Sequence, residues 1–546
     1  MKGSGNSLIL LTALALLMVT SAAGHATSQG GGPPPAYQPA PPSLNTTLPE
    51  PEEFCQTDKP SWRKQQSVYG VLIQESLRCS PDQPRLVAAV VKGTNNVPMS
   101  ALRKTGLSRD AVRKGRDLDG DGDPDVINMT LEVAEINGWS GSSGLSASQE
   151  IAPGVTPPMW VFAPKTRGMA TEGAAASDVI RAPSPAIRVE KGDRVRVTLE
   201  NTHYMPHTIH FHGVDHPYMR NGTGMDGVPQ TSGEPVSPGE AKTYRFSPSQ
   251  AGTMFYHCHV QPNIHVLMGL QGMFIITKER DNNTVQTFNV GNGKVRHPSE
   301  AVEGRYASSY DYLYQGVDIQ LHNIVNISND PRVISKTMNR RYDVTEREPD
   351  YFLLNGKSFP YTIRESNIVV EKNQRVKLRI LNAGSESISV HTHGHKPTIT
   401  HYDGVKAPEG KRIQRDVFSI SAAQRLDLVI NTTEDGLNSY GPGVWFVHDH
   451  KEEAVTTNGI APGGDISLIV YEKYLKKNGF PETHGVSWEK YFTEEYYNRK
   501  VPVWKGYEKS VFFGEIKLRP APVWPMIISS FLGVLAGLGL TWRLVL

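Results

Sequence analysis

Hydrophobic residues follow two different patterns along the chain. In the interior they alternate with polar or small residues, as in residues 127–133 and again in residues 195–199. Side chains two apart on a strand point to the same face, so this period of two predicts half-buried β-strands. At the two ends of the chain the residues form long, mostly apolar runs instead.

The terminal runs predict where the protein is located. Residues 8–19 are mostly apolar, follow Lys2 and precede small residues up to Ala26, which is the order of a secretory signal peptide; an uncleaved anchor is the alternative, although the run is short for a bilayer. Residues 521–542 are almost wholly uncharged and long enough to span a bilayer, whereas a buried helix would show a polar face. We expect an exported protein at the periplasmic or extracellular face, anchored by a C-terminal transmembrane helix.

The central part of the chain contains an internal repeat. The segment IRVEKGDRVRVTLEN at 187–201 aligns without a gap with IVVEKNQRVKLRILN at 368–382, an offset of 181 residues. A second matched pair follows, FYHCH at 255–259 and FVHDH at 446–450. The simplest account is two copies of one β domain.

The composition agrees with this account. Glycine (50 residues) and proline (39 residues) are frequent, which is typical of turn-rich β proteins and not of helical bundles. We therefore predict an all-β fold with two β domains. The predicted order is signal peptide 1–26, Pro-rich linker 27–53, N-terminal extension 54–125, first β domain 126–280, inter-domain connection 281–339, second β domain 340–475, C-terminal extension 476–520 and transmembrane helix 521–542.

Charge and cysteine content narrow the class of protein. Lysine and arginine number 57 against 55 acidic residues, a formal net charge of +2, so no basic surface for nucleic acid is expected. Cys55 and Cys79 lie 24 positions apart and could form a disulfide in an exported chain. Such a disulfide would leave Cys258 as the lone thiol.

An acidic loop, DLDGDGDPD, begins at residue 117. Its alternate carboxylates match the first positions of a calcium-binding loop, in which they converge on a hard cation. The twelfth position holds Asn128 in place of the usual glutamate. Calcium binding and a solvated acidic turn both stay open, and the candidate ligands are Asp117, Asp119, Asp121 and Asp125.

Four His-x-His pairs occur, two in each repeat. Residues two apart on a strand face the same side, so each pair presents two imidazoles together. Eight neutral imidazoles without carboxylate ligands suit copper better than calcium or magnesium, although spacing alone does not exclude zinc. The pairs are His210/His212, His257/His259, His391/His393 and His448/His450.

Cys258 lies between His257 and His259 and must therefore point to the opposite face of its strand. His207 also has opposite parity to the histidine pair that follows it, and His265 comes shortly after the cysteine. One cysteine and two histidines can form the trigonal ligand set of a blue-copper centre. A buried, inert thiol is the alternative.

These segments resemble the copper-binding motifs of the multicopper oxidases, most closely those of the two-domain, laccase-like branch. The resemblance covers about residues 125–473 and rests on HTIHFHG, DGVPQT, FYHCHVQPNIHVLMGLQG, VHTHGH and WFVHDH. It implies that each β domain is a cupredoxin-like sandwich, and that His207, Cys258 and His265 bind a type 1 copper. It also implies that the eight paired histidines hold a trinuclear cluster of one type 2 and two type 3 coppers, which makes about four coppers per chain.

The second repeat lacks the residues that correspond to the proposed type 1 copper ligands. Asp449 stands where the first repeat has Cys258, and Ile388 stands where it has His207. The resemblance therefore implies one type 1 site per chain. The position of the usual axial methionine, five residues after His265, holds Leu270, a side chain that does not coordinate and should raise the reduction potential of the site.

The resemblance implies a copper-dependent oxidoreductase with dioxygen as the electron acceptor. A reducing substrate gives single electrons to the type 1 copper near His265, and Cys258 connects that site to His257 and His259 at the cluster, where dioxygen is reduced to water. Asp226 occupies a place where relatives carry an acid near the cluster, which implies a proton relay; an ordinary turn aspartate is the alternative.

Ligands from both domains must meet, and two-domain relatives achieve this as homotrimers, so the resemblance implies a homotrimer. Copper nitrite reductase is the nearest rival, but its motif has aspartate in place of His210 and lacks the histidine that this chain has at His259. A non-catalytic copper-binding or electron-transfer protein would leave the paired histidines unexplained. The reducing substrate stays open among phenols, metal ions and a small redox protein.

Overall fold

The computed structural model describes residues 62–63, 65–77, 83–138, 147–168, 178–299, 306–476, 479–484 and 487–493. The predicted signal peptide and Pro-rich linker, the Cys55–Cys79 pair and the apolar residues 521–542 lie outside these ranges. Within the described ranges, no helix is both long enough and apolar enough to cross a membrane.

The N-terminal extension packs on the first β domain through a helix. Its elements are β1 (Trp62–Arg63), β2 (Gln66–Val68), β3 (Val71–Ile73), β4 (Ser76–Leu77), α1 (Pro84–Lys92), a 3-10 turn at Thr94–Asn96 and α2 (Met99–Leu102). Proline at the first position of α1 suits the helix start because its φ angle is already helical. Leu86, Ala89 and Val90 of α1 belong to the hydrophobic core of the first domain.

The first β domain is a sandwich of two five-stranded sheets. Its elements are β5 (Val112–Gly115), β6 (Val126–Ile136), β7 (Met159–Pro164), β8 (Ala186–Glu190), β9 (Arg194–Glu200), β10 (His210–His212), β11 (Met219–Arg220), β12 (Thr223–Gly224), α3 (Pro229–Ser232), β13 (Ala241–Phe246), β14 (Gly252–His257), α4 (Pro262–His265), β15 (Gln271–Thr277) and β16 (Phe288–Asn289). One sheet has the order β13-β9-β6-β5, with β7 also paired to β6, and the other has the order β10-β14-β15-β8-β16. Along β9, Val195, Val197 and Leu199 are buried and their neighbours are not, as the period of two predicts.

The second β domain is a sandwich with a seven-stranded and a five-stranded sheet. The elements from the connection onward are β17 (Gly293–Lys294), β18 (Ser308–Val317), α5 (Ile319–Val325), α6 (Pro331–Arg341), β19 (Tyr351–Leu354), α7 (Thr362–Glu365), β20 (Ile368–Val370), β21 (Arg375–Asn382), β22 (Ile388–Thr392), β23 (Thr398–Tyr402), β24 (Val405–Lys406), β25 (Val417–Ile420), β26 (Arg425–Asn431), β27 (Val444–Asp449) and β28 (Ser467–Tyr471). Short 3-10 turns lie at Val344–Glu346, Glu409–Lys411, Glu452–Val455, Glu472–Tyr474 and Trp488–Phe492. The sheet orders are β17-β18-β21-β26-β23-β24, with β19 paired to β18, and β20-β28-β27-β22-β25.

Residues 281–339, which the repeat places in a connection, contribute to both sandwiches. Strand β18 belongs to the seven-stranded sheet, where it runs parallel to β21. Nine of its ten residues are buried, so β18 shows no alternation from which the sequence could predict it. Helices α5 and α6 instead pack against the first sandwich, where Leu321, Ile334 and Met338 join its core.

Buried polar contacts join the two sandwiches. Arg188 of β8 pairs with Asp311 of β18, and both side chains are fully buried. The Thr253 hydroxyl donates to Oδ1 of Asp427 at 2.5 Å. Because buried charged groups are tolerated only when they are paired, these contacts require a defined relation between β8, β14 and the second sandwich.

Candidate metal centres

Antiparallel strand pairing brings the histidine pairs together. In the first sandwich β10 lies beside β14 with His210 opposite His257, and in the second β22 lies beside β27 with His391 opposite His448. Residues directly opposite in antiparallel strands have side chains on the same face, about 5 Å apart. Each sandwich therefore presents four imidazoles. We name His210, His212, His257 and His259 the first quartet, and His391, His393, His448 and His450 the second quartet.

Two rings of the first quartet, those of His210 and His257, are arranged to bind metal through Nε2. Nδ1 of His210 donates to the Asp226 carbonyl at 2.8 Å, and Nδ1 of His257 donates to the Cys258 carbonyl at 3.0 Å, so each ring keeps Nε2 free. Ligand nitrogens of His210, His212 and His257 lie within 4.8 Å of one another. Burial lowers the pKa of His212 to about 4 and that of His257 to about 3, which keeps both rings in the neutral, metal-binding form.

The second quartet has the same strand pairing and is more exposed. Nδ1 of His391 donates to the Asp416 carbonyl at 3.0 Å, and Nε2 of His393 lies 3.2 Å from Nε2 of His448. The His450 side chain is 55% exposed, against 21% for His210. In this single chain, none of the ring contacts among the described residues joins the first quartet to the second.

His207, Cys258 and His265 form a compact triad beyond the end of β14. The Cys258 Sγ lies 3.7 Å from Nδ1 of His207 and 3.3 Å from Nδ1 of His265, and all three residues are fully buried. Burial raises the pKa of the Cys258 thiol to about 11 and lowers that of His265 to about 3, so a metal ion would have to displace the thiol proton. Leu270 is buried beside the triad, and its N–H donates to the His265 carbonyl at 3.1 Å.

The corresponding position of the second sandwich holds a hydrogen-bonded carboxylate. Asp449 is 1% exposed, and its Oδ1 accepts from the Ser389 N–H at 2.7 Å and the Lys451 N–H at 3.1 Å. Ile388, at the place of His207, is a buried apolar residue. Among the described residues, no metal-sized cluster of ligands includes Asp449.

Asp226 lies beside the first quartet together with a histidine that the sequence did not single out. Its Oδ1 is 3.1 Å from Nδ1 of His210 and 3.5 Å from Nε2 of His216. All three side chains are partly exposed, so water can reach them. His216 has no pattern in the sequence that separates it from an ordinary surface histidine, and only the loop geometry brings it here.

The acidic loop converges with a glutamate that follows a strand distant in sequence. Carboxylate oxygens of Asp117, Asp119 and Asp125 lie within 4.8 Å of one another, as do those of Asp119, Asp121 and Glu279. Burial, and then the nearby aspartates, raise the pKa of Glu279 to about 7. Glu279 follows β15 and has no sequence relation to the loop, which is why the motif alone could not identify it.

A cavity of about 1010 Å³ lies beside α4, the short helix that ends at His265. Asn263 and Ile264 of α4 line one side, directly before His265, and residues of α6 and the turn after it line the other. Five carboxylates and two guanidinium groups, those of Arg340 and Arg341, line its wall, which therefore carries net negative charge.

A protein with two β-sandwiches, one buried Cys-His-His triad and two histidine quartets has the donor groups that copper prefers, namely neutral imidazoles and a single thiol. Two family models, both described as multicopper oxidase, match the chain: one matches residues 179–281 and the other matches residues 328–461. The chain belongs to the multicopper oxidase family.

Individual relatives have low sequence identity to the chain. It is 25% identical over 321 residues to an iron transport multicopper oxidase, FET3, of Gibberella zeae, covering 53% of this chain and 44% of that protein. It is 25% identical over 342 residues to Laccase-2 of Thanatephorus cucumeris, covering 60% of this chain and 48% of that protein. The solved blue copper oxidase of Nitrosomonas europaea is 26% identical, with 71% of this chain and 98% of that chain covered and a TM-score of 0.46. The chain thus spans about half the length of the curated relatives it matches.

Proposed function

We propose that the protein is a laccase-like multicopper oxidase that couples one-electron oxidation of a reducing substrate to the reduction of dioxygen to water. The observation that carries this proposal is the placement of Cys258 between His257 and His259 at the end of β14, with the thiol in the triad and the two imidazoles in the first quartet. One peptide unit on each side of Cys258 therefore connects the proposed triad site to a histidine of the first quartet.

The triad would hold one copper and the quartets would hold the others, about four per chain. When bound, copper supplies reversible one-electron chemistry and, in the cluster, the site at which dioxygen is reduced. The chain's own contribution is to keep the imidazoles neutral, to orient them through their Nδ1–H bonds, and to exclude water from the triad. Asp226, beside His210 and His216, would deliver protons to the oxygen-reducing site.

We further propose that a complete cluster forms between subunits of a homotrimer. The support is that the two quartets make no ring contact within one chain, and that His450 is open to solvent. A first quartet of one copy would then face a second quartet of the next. This proposal predicts that a chain with His210→Ala and a chain with His391→Ala are each inactive alone but regain oxidase activity when co-expressed. Sites completed within one chain would show no such recovery.

The cavity beside α4 indicates the class of electron donor. A net negative wall attracts cations and repels anions, so we propose that the donor carries positive charge, as a metal ion or an organic cation does. The exported location and the C-terminal membrane anchor remain proposals from the sequence. Calcium binding by the acidic loop is also a proposal, with Glu279 supplying the carboxylate that position 128 lacks.

Copper content together with oxygen consumption tests the proposed function. We expect about four coppers per chain and oxygen uptake with ferrous ion or a phenol as donor. The variant His393→Ala should lose cluster copper and oxygen uptake but keep the blue colour, whereas His484→Ala, which changes an exposed histidine, should alter neither. Anaerobic formation of nitric oxide from nitrite, without oxygen uptake, would replace this proposal with nitrite reduction, which the family matches do not favour. Copper binding without any turnover would support an electron-transfer protein.

A further inference from the structure

A buried histidine outside the proposed ligand set contacts the His207 ring of the triad. His203 precedes β10 and is 5% exposed. Its ring packs edge-on against Trp160, with ring centroids 4.6 Å apart, and beside His207 at 5.0 Å. Trp160 also packs edge-on against His207 and His265, so one indole contacts three imidazoles. Neither the proposed copper ligands nor the proton path includes His203.

The hydrogen bonds of His203 determine which of its nitrogens accepts a proton. The Met205 N–H points at Nδ1 of His203 at 3.4 Å, so this nitrogen is an acceptor. Nδ1 also lies 2.9 Å from Nε2 of His207, the nitrogen on the side of the His207 ring away from Cys258. His207 faces the thiol with Nδ1, so its proton lies on Nε2 when Nδ1 binds a metal, and that N–H donates to His203.

The other nitrogen of His203 faces a buried carboxylate. With Nδ1 accepting, the proton of neutral His203 lies on Nε2, which is 3.6 Å from Oε1 of Glu135; this distance exceeds that of a hydrogen bond, so the contact is electrostatic. The Glu135 side chain is only 6% exposed. The Tyr204 hydroxyl donates to the same Oε1 at 3.1 Å, and burial holds the pKa of that phenol well above its usual value, so Tyr204 remains a donor.

We propose that His203 and Glu135 are positioning residues for His207, forming a His207–His203–Glu135 chain that orients the copper-ligating ring and increases its electron donation. Metal-bound histidines in proteins commonly donate their second N–H to a carboxylate, which fixes the ring and strengthens the ligand. Here one imidazole is inserted between ligand and carboxylate. A more strongly donating His207 stabilises the oxidised metal, so the chain lowers the reduction potential of the site and opposes the effect of Leu270.

This inference rests on the proposed function only in taking the metal to be copper. Binding of cobalt(II) to the triad tests the role of His203 and Glu135 independently of catalysis. Cobalt binding to the full-length protein is followed by the thiolate-to-metal absorption, with Cys258→Ser as the blank. His203→Phe keeps a ring and removes the acceptor, and His203→Asn restores an acceptor near the place of Nδ1. We expect His203→Phe to weaken cobalt binding about tenfold, and His203→Asn to recover most of that loss.

Copper-loaded protein gives the second readout. We expect the reduction potential of the blue site to rise in His203→Phe and, by a smaller amount, in Glu135→Gln, which removes the charge but keeps the size of the side chain and the acceptor for Tyr204. The control His484→Phe should leave both the potential and cobalt affinity unchanged. If His203→Phe does not fold, Glu135→Gln decides: an unchanged potential and unchanged cobalt affinity would overturn the inference. The unchanged protein could also bind cobalt, and the variants could shift cobalt affinity and reduction potential as expected, while the copper-loaded protein takes up no oxygen. That result would contradict only the proposed oxidase function.

Discussion

The two sandwiches carry matching histidine pairs at the ends of β14 and β27 but differ in the residue between the histidines. In the first sandwich Cys258 points to the buried face and meets His207 and His265. In the second, Asp449 points to the same face and accepts two backbone N–H groups. Because alternate residues of a strand face opposite sides, one face can keep its histidines while the other changes its chemistry. The comparison shows that the quartet and the triad are separable features of one strand.

Removing the thiol should have the largest effect. In Cys258→Ser we expect the blue absorption to vanish and donor-driven oxygen uptake to fall by more than about a hundredfold, beyond the loss typical for a supporting residue. The quartets should still bind copper, because their Nδ1–H bonds do not involve the thiol. Metal analysis and an oxygen electrode measure both effects. Loss of all copper would show that triad and quartet are not separable.

Changing the corresponding residue of the second sandwich should affect stability and not colour. Asp449→Ala leaves the N–H groups of Ser389 and Lys451 without their acceptor, which should lower the free energy of unfolding by about 1–3 kcal/mol. Denaturant unfolding measures this change. The blue absorption should remain as in the unchanged protein, and a loss of colour would contradict the assignment of the triad to the first sandwich alone.

Calcium should stabilise the protein through a region that only the first sandwich has. Burial raises the pKa of Glu190 to about 9 and that of Asp193 to about 8, and both lie in the electrostatic field of the acidic loop or Glu279. The folded state therefore binds more protons than the unfolded chain, so without calcium stability is greatest below the usual carboxyl pKa and falls as pH rises through these values. Buried Lys114, whose pKa is lowered to about 8, acts in the opposite direction only above that pH.

We expect calcium at about ten times its dissociation constant to raise the free energy of unfolding by about 1.4 kcal/mol near neutral pH, and to reduce its decline between about pH 5 and about pH 7.5. Thermal unfolding with and without calcium measures this. The variant Glu279→Gln should bind calcium more weakly. Identical pH profiles with and without calcium would show that the loop is only a solvated turn.

Charge at the cavity should have the smallest effect, on the rate of electron entry. Glu346 and Glu348 are exposed at its wall, so Glu346→Gln/Glu348→Gln should slow anaerobic bleaching of the blue site by hexaammineruthenium(II) roughly fivefold and should accelerate bleaching by hexacyanoferrate(II). Asp110→Asn/Glu409→Gln, which removes two exposed charges elsewhere, is the control. Stopped-flow absorption measures the rates. Equal changes with both donors would show that the cavity does not select charge.

The features that could be predicted from the sequence are those that depend on short-range periodicity. The repeat and the period of two predicted two β domains, and each His-x-His pair predicted two rings on a common face, as His210 and His212 show. Strand β18 was not predicted, because both of its faces are buried and it lacks alternation. Helices α5 and α6 and the cavity that α6 lines were not predicted either, because their apolar residues pack on a domain distant in sequence.

The sequence by itself determined which side chains share a face, since the geometry of a strand depends only on the parity of neighbouring residues. It therefore separated Cys258 from His257 and His259 without any knowledge of the fold. The tertiary structure alone decided which residues surround those faces: Glu279 beside the acidic loop, His216 beside Asp226, and His203 with Glu135 behind His207. These contacts join segments far apart along the chain or loops without periodicity, and only the packing of the sheets brings their side chains within bonding distance.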